Sequence, residues 1–259
     1  MGLHRAFGPA PVETGPHDVA PADEGAEDFV REAEIGDGWL HPKASNATFV
    51  VELRRGAARG LGVYKPRLGE VPLWDFPSGT LHRRECAAYV LSRVLGWRFV
   101  PPTVLRDGEA GIGSVQLFVP PVEGSNFFTL RDEHPDETLR MAVFDVIANN
   151  ADRKGGHCFV GRAGGVWGLD HGLTFNVEHK LRTVIWDYAG SAVPERLLRD
   201  LRRLAEELGA ASSDASAGLG ALLSPEEMDA LRSRVDALVE RPVLPAGPHS
   251  RRDLPWPWL

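Results

Sequence analysis

Residues 145–172, reading DVIANNADRKGGHCFVGRAGGVWGLDHG, constrain the fold more than any other part of the chain. An apolar stripe at helical spacing leads into them: Leu139, Met141, Ala142, Phe144, Val146 and Ile147. The helix breaks into a polar loop, Asn149-Asn150-Ala151-Asp152-Arg153-Lys154-Gly155-Gly156-His157. Two short apolar runs follow, Cys158-Phe159-Val160 and Val166-Trp167-Gly168-Leu169, around the turn Arg162-Ala163-Gly164-Gly165. An acid then stands two residues before a glycine: Asp170-His171-Gly172. Helix, polar loop, hairpin and acid must be accommodated in one continuous run, so the fold class is α+β. Asp152 and Asp170 both sit beside turns flanked by apolar strands. They are therefore fixed by structure and not left on a solvated face.

The 259 residues, 43% of them hydrophobic, suffice for one well-filled domain or two lobes sharing a cleft. A formal charge of -7 argues against a nucleic-acid binder, which needs a basic face. No apolar run reaches membrane-spanning length, and no apolar core of a signal peptide stands near residue 1. Cys86 and Cys158 lack metal-ligand spacing and read as buried free thiols of a reducing, cytoplasmic setting. Acids crowd the start: Glu13, Asp18, Asp23, Glu24, Glu27, Asp28, Glu32 and Glu34 face only Arg5 and Arg31. With few large apolar groups there, residues 1–33 read as a flexible acidic tail.

Residues 34–121 read as a lobe of antiparallel sheet with one helix. Strands are expected at 36–40, 48–53 and 61–66, with the small-residue hairpin Ala44-Ser45-Asn46-Ala47 between the first two. Small residues let backbone N–H groups approach phosphates closely, which makes Ser45 and Asn46 candidate nucleotide contacts. A helix is expected over 78–95, and strands over 97–104 and 112–118. Val119 opens the linker to the next lobe, where backbone groups can meet an adenine. Residues 122–240 read as a mainly helical lobe. Pro135-Asp136-Glu137 starts its first long helix, Pro194 opens another, 210–220 is a Gly/Ser/Ala linker, and Ser224-Pro225-Glu226-Glu227 caps the last helix. Residues 241–259, with several prolines and with Trp256 and Trp258, read as a tail over the surface.

Lys65 closes an apolar strand and precedes Pro66. A strand-borne lysine can meet the α- and β-phosphates of ATP when a helix-borne glutamate holds it. Glu85, among Arg83, Arg84 and Cys86 in the first half of the expected helix, is the candidate partner. Glu70 and Asp75 are competitors in a Gly/Pro-rich connector, where Trp74 and Phe76 suggest a lid or cap.

The loop Asn150-Ala151-Asp152-Arg153 resembles the catalytic loop of the phosphatidylinositol 3-/4-kinase superfamily. It resembles in particular the loop of the type II phosphatidylinositol 4-kinases and their bacterial relatives, in which Arg directly follows the loop Asp. With Lys65, Glu85 and Asp170-His171-Gly172 in the same order, the resemblance covers roughly residues 36–240 and suggests an actinobacterial member. It implies a two-lobed kinase-like fold with the ATP cleft between the lobes. It also implies ATP and Mg²⁺ as cofactors and a hydroxyl on a lipid, small molecule or protein as acceptor. Lys65 would hold the phosphates, Glu85 orient Lys65, Asp152 accept the proton of the acceptor hydroxyl or orient it, and Asp170 bind the metal, with Arg153 a further catalytic candidate. The family's second metal ligand, Asn five residues past the loop Asp, is here His157, and Asn149 or Asn150 are the other amides at hand. Lys154 adds charge that can meet a phosphate. Alternatives are a nucleotide-binding pseudokinase serving as a regulatory module, and a protein nucleotidyltransferase.

Overall fold

The computed structural model describes residues 3–4, 18–41, 46–210 and 212–259. The chain divides into two compact units, Met1–Cys86 with Pro101–Pro120 and Ala87–Val100 with Pro121–Leu259. One carries the sheet and the other is mainly helical, as the α+β expectation requires.

The first unit holds strands β1 (Leu3–His4), β2 (Glu34–Leu40), β3 (Phe49–Arg55), β4 (Ala58–Pro66), β5 (Thr103–Gly108) and β6 (Gly111–Leu117). Their order is β1-β2-β3-β4-β6-β5. The pairs from β2 through β5 are antiparallel, and β1 adds a parallel edge to β2. Helix α1 (Ala26–Glu32) corrects the expectation of a tail through residue 33. It buries Ala26, Phe29 and Val30 against Val51, Leu53, Tyr64, Val104, Val115 and Leu117. Only two large apolar residues anchor this turn, so its acids dominated the composition. Phe29 reaches Gly60 of β4, where an added Cβ would stand 3.1 Å from the ring, so a side chain there would require the ring to give way.

Helix α2 (Leu81–Val94) follows β4. The expected strand over 97–104 begins only at Thr103. The backbone donors of 97–100 are spent on the end of α2: Trp97 and Arg98 donate to the Ser92 carbonyl at 3.0 and 3.2 Å. Phe99 and Val100 donate to Ser92 Oγ at 3.2 and 3.4 Å. Pro101 and Pro102 have no N–H to give a ladder, so pairing starts after them.

The second unit holds α3 (Phe127–Leu130), α4 (Pro135–Ala148), the hairpin β7 (Cys158–Val160) and β8 (Val166–Gly168), α5 (Glu195–Gly209), α6 (Asp214–Gly220) and α7 (Pro225–Glu240). Asn126 caps α3, and Ser224 with Glu227 forms a capping box on α7. Leucines of α5 and α7 join Leu91, Phe144 and Ile147 in one core, each fully buried side chain contributing about 1.5–3 kcal/mol. Helix α6 corrects the linker expected at 210–220. Ser213 Oγ accepts from Ser216 N at 3.0 Å, and the turn it starts buries Ala215 and Leu219. Beyond α7 the chain runs back along the unit, with Leu244 buried and its N–H on the Ser191 carbonyl at 2.9 Å. Among the described residues no helix is long and apolar enough to cross a membrane.

Candidate active site

In the sheet unit, alternation along β4 buries Tyr64 on one face and leaves Lys65 half-buried on the other. The Lys65 Nζ contacts Glu85 Oε1 of α2. Glu85 is 3% exposed. A carboxylate that dry needs a cation. The lysine side chain is 26% exposed.

What fixes α2, and with it Glu85, is Glu70. Glu70 Oε1 accepts from His82 N at 2.9 Å and lies 2.6 Å from His82 Nδ1, in the first turn of the helix. Burial raises the Glu70 pKa, but the bonds from the His82 ring and from the His82 and Leu81 N–H groups outweigh it and hold the carboxyl below its usual range. Glu70 is thus a helix cap and no competitor of Glu85 for Lys65. The connector splits: Phe76 is buried under the Arg84 guanidinium, 5.1 Å from its ring, whereas Trp74 is exposed. Asn46 Oδ1 accepts from Val71 N at 2.8 Å, so the expected phosphate contact ties down this connector. Ser45 lies outside the described residues. Val119 follows β6 and its side chain is buried.

In the helical unit, α4 ends at Asn149 in the left-handed region, φ 51°. Its side-chain amide donates to the carbonyls of Asn176 and Glu178 at 2.9 and 2.6 Å and accepts from Lys180 N at 2.8 Å. Asn150 is fully buried, donating to Asp145 Oδ1 at 2.9 Å and accepting from Asp152 N at 3.0 Å. Both amides hold backbone in register, so neither stands in for the missing metal ligand.

Arg153 was expected at the reacting groups. It is instead fully buried and pairs with Asp145, also fully buried, at 2.9 Å. Arg153 Nε donates to both Asp145 oxygens at 3.1 and 3.0 Å, Nη1 to the Leu169 carbonyl at 3.1 Å, and Nη2 lies 2.7 Å from His171 Nε2. Burial lowers the Arg153 pKa, but Asp145 more than offsets it, so the guanidinium stays charged. It ties α4, the loop and the segment after β8 together.

Asp152 faces the other way and is half-buried. Burial pushes its carboxyl up to about 6, aided by the charge of Asp170 and opposed by Lys154 and Arg182. Lys154 Nζ stands 3.1 Å from Asp152 Oδ2. Asp170 reaches the same neighbourhood because Leu169 N donates to the His157 carbonyl at 2.9 Å, extending the β7–β8 ladder by one pair. The Asp170 side chain is 53% exposed, and its backbone is left-handed, φ 56°, a strained setting for a non-glycine residue.

His157, expected as a metal ligand, lies beside Asp170. Its Nδ1 accepts from Lys154 N at 3.4 Å, and its Nε2 lies 3.6 Å from Asp170 Oδ2. Sequence reasoning missed Arg182, which bears on Asp152 from a distant loop, and the Glu70 cap. Neither has a spacing signal.

No family model matches the chain. The Mycobacterium tuberculosis protein Rv2133c is 43% identical to it over 249 residues, covering 83% of this chain and 88% of that protein. The chain belongs to the Rv2133c family. Among solved structures, the Helicobacter pylori proinflammatory kinase CtkA is similar at 14% identity and a TM-score of 0.49, over 82% of this chain and 94% of that one. The golgi casein kinase is similar at 14% identity and a TM-score of 0.48, over 85% and 74%. At that identity and those scores the two likenesses carry nothing about chemistry in the Rv2133c family.

Proposed function

We propose that the protein is an ATP-dependent phosphotransferase that moves the γ-phosphate to an alcohol, in the manner of the phosphatidylinositol 3-/4-kinase-related proteins its motifs resemble. One observation carries the reading. A half-buried carboxylate raised to about 6, Asp152, shares its surroundings with a half-exposed carboxylate, Asp170, and with the ammonium of Lys154. Phosphoryl transfer asks little covalent help of a protein. It needs an oriented hydroxyl and positive charge against the phosphates.

In this reading Asp152 aligns the acceptor hydroxyl and takes its proton. Arg153 positions Asp152, and His157 positions Asp170. Lys65, steadied by Glu85, meets the nucleotide phosphates. The residues fit Mg²⁺, which takes one or two carboxylates and leaves the rest of its shell to phosphate and water. Asp170 suits such an ion, and among the described residues no group of three or more His, Cys, Asp or Glu side chains forms a closed cage. When bound, Mg²⁺ supplies charge against the phosphates. Lipid, small-molecule and protein hydroxyls are all chemically suitable acceptors.

The test measures the thermal shift with Mg²⁺-ATP and ADP release. Asp170→Ala should lose both, Asp152→Ala should keep the shift and lose release, and Lys65→Ala should weaken nucleotide binding. If the Asp152→Ala/Asp170→Ala double variant releases ADP like the intact protein, the assignment is wrong. The mass added to a labelled acceptor distinguishes phosphate from adenylate.

A further inference from the structure

A second part of the chain lies on the loop that carries Asp152. Gly155 N donates to the Trp258 carbonyl at 2.6 Å. A Cβ placed on Gly155 would stand 2.7 Å from the Phe128 ring and 3.0 Å from Leu259 Cδ2. Phe128, Gly155 and Leu259 thus meet at one point, where an added methyl would have to push the tips of Phe128 and Leu259 aside. Gly156 faces the same residue, its Cβ position 4.0 Å from the Leu259 carbonyl carbon. Phe128 itself is 39% exposed, so it offers a shelf beside the loop.

The hold is light. Trp256, Trp258 and Leu259 are 83%, 52% and 66% exposed, so half or more of each residue stays in water. The preceding residues are anchored better. Thr183 N and Trp186 Nε1 donate to the Asp253 carbonyl at 3.2 and 3.3 Å, and Asp253 Oδ2 accepts from His249 and Ser250 N at 2.8 Å each. An anchored segment, 249–253, followed by a lightly held one, 256–259, seated on glycines three and four residues past Asp152, is the arrangement of a detachable strap.

We infer that residues 256–259 are an intramolecular strap: docked on Phe128, Gly155 and Gly156 they restrain the Asp152 loop and slow turnover, and released they free it. The effect on turnover rests on the phosphotransferase reading, whereas the docking does not. A tether this short presents the strap at an effective concentration on the order of millimolar, so the same peptide added in trans must reach that range to replace it.

The experiment compares the full chain with one lacking residues 256–259. The shortened chain should release ADP from Mg²⁺-ATP about fivefold faster, the factor one net hydrogen bond is worth. A fluorescein-labelled peptide LPWPWL should bind the shortened chain and not the full one, and at millimolar levels should restore the slower rate. Gly155→Ala in the shortened chain should weaken peptide binding about tenfold or more, because the new methyl fills the contact point. Absent peptide binding, or equal binding to both chains, overturns the strap. Peptide binding with a rate that deletion leaves unchanged overturns the restraint. If neither chain releases ADP, the phosphotransferase reading fails. The binding arm with Gly155→Ala then still decides the strap.

Discussion

Asp145→Ala removes the group on which the geometry of the Asp152 loop turns. The Asp145 carboxylate is fully buried and accepts from Arg153 Nε at 3.1 and 3.0 Å, Arg153 Nη2 at 2.9 Å, Asn150 Nδ2 at 2.9 Å and Thr183 Oγ1 at 3.2 Å. The substitution leaves the Arg153 guanidinium at 0% exposure with no carboxylate beside it. An arginine cannot escape by losing its proton. Breaking a buried pair from one side costs about 3–5 kcal/mol, a large part of the about 5–15 kcal/mol that holds a domain folded. The assay is urea unfolding of the helical unit, followed through Trp167 and Trp186. With a slope of about 3 kcal/mol per molar, the midpoint should fall by about 1–2 M. Replacing both partners by apolar residues, Asp145→Leu with Arg153→Met, should recover only part of that loss, because the buried charge is gone but Asn150 Nδ2, Thr183 Oγ1 and the Leu169 carbonyl lose their partners. A single-variant drop below about 1 kcal/mol, the value of an ordinary surface contact, would refute the reasoning.

Two further outcomes follow from the same geometry. In the proposed role Asp152 takes the acceptor proton as a carboxylate, and burial raises its pKa from 3.8 to about 6, so kcat/KM should rise with pH through an acidic limb near 6. For stability the sign is opposite: the folded state holds the proton more tightly, so ionised Asp152 costs stability as pH rises from 3.8 to about 6. Asp152→Asn should therefore stabilise the protein at pH about 7.5 and not at pH about 4, and denaturation at both values checks this. Glu70→Ala removes the α2 cap and should cost about 1–2 kcal/mol while weakening Mg²⁺-ATP binding through Glu85 and Lys65. An unchanged Kd would separate the cap from the pair.

How much of this was legible in the sequence depends on the range over which each residue's partners act. Lys65, the Asp170 turn and the β7–β8 hairpin could be read because local rules place them: strand alternation, a proline stop, glycines at a turn. The Glu70 cap, Ser92 collecting the N–H groups of 97–100, and α1 closing over the sheet could not, because a side chain bonding to remote backbone leaves no periodicity. Arg153 is the instructive case. Next to Asp152 in sequence, it invited a catalytic role, yet its partner Asp145 is on the preceding helix. The loop also pairs like a strand, Arg153 bridging Thr183 in parallel. Its burial alternates accordingly: Ala151, Arg153 and Gly155 are buried, whereas Asp152 and Lys154 are half-buried. A two-residue period across Ala151-Asp152-Arg153-Lys154-Gly155 already places Asp152 with Lys154 on one side and Arg153 on the other. The 3.1 Å contact between Asp152 and Lys154 follows from that period, and so does the need for a buried acid opposite, which Asp145 supplies.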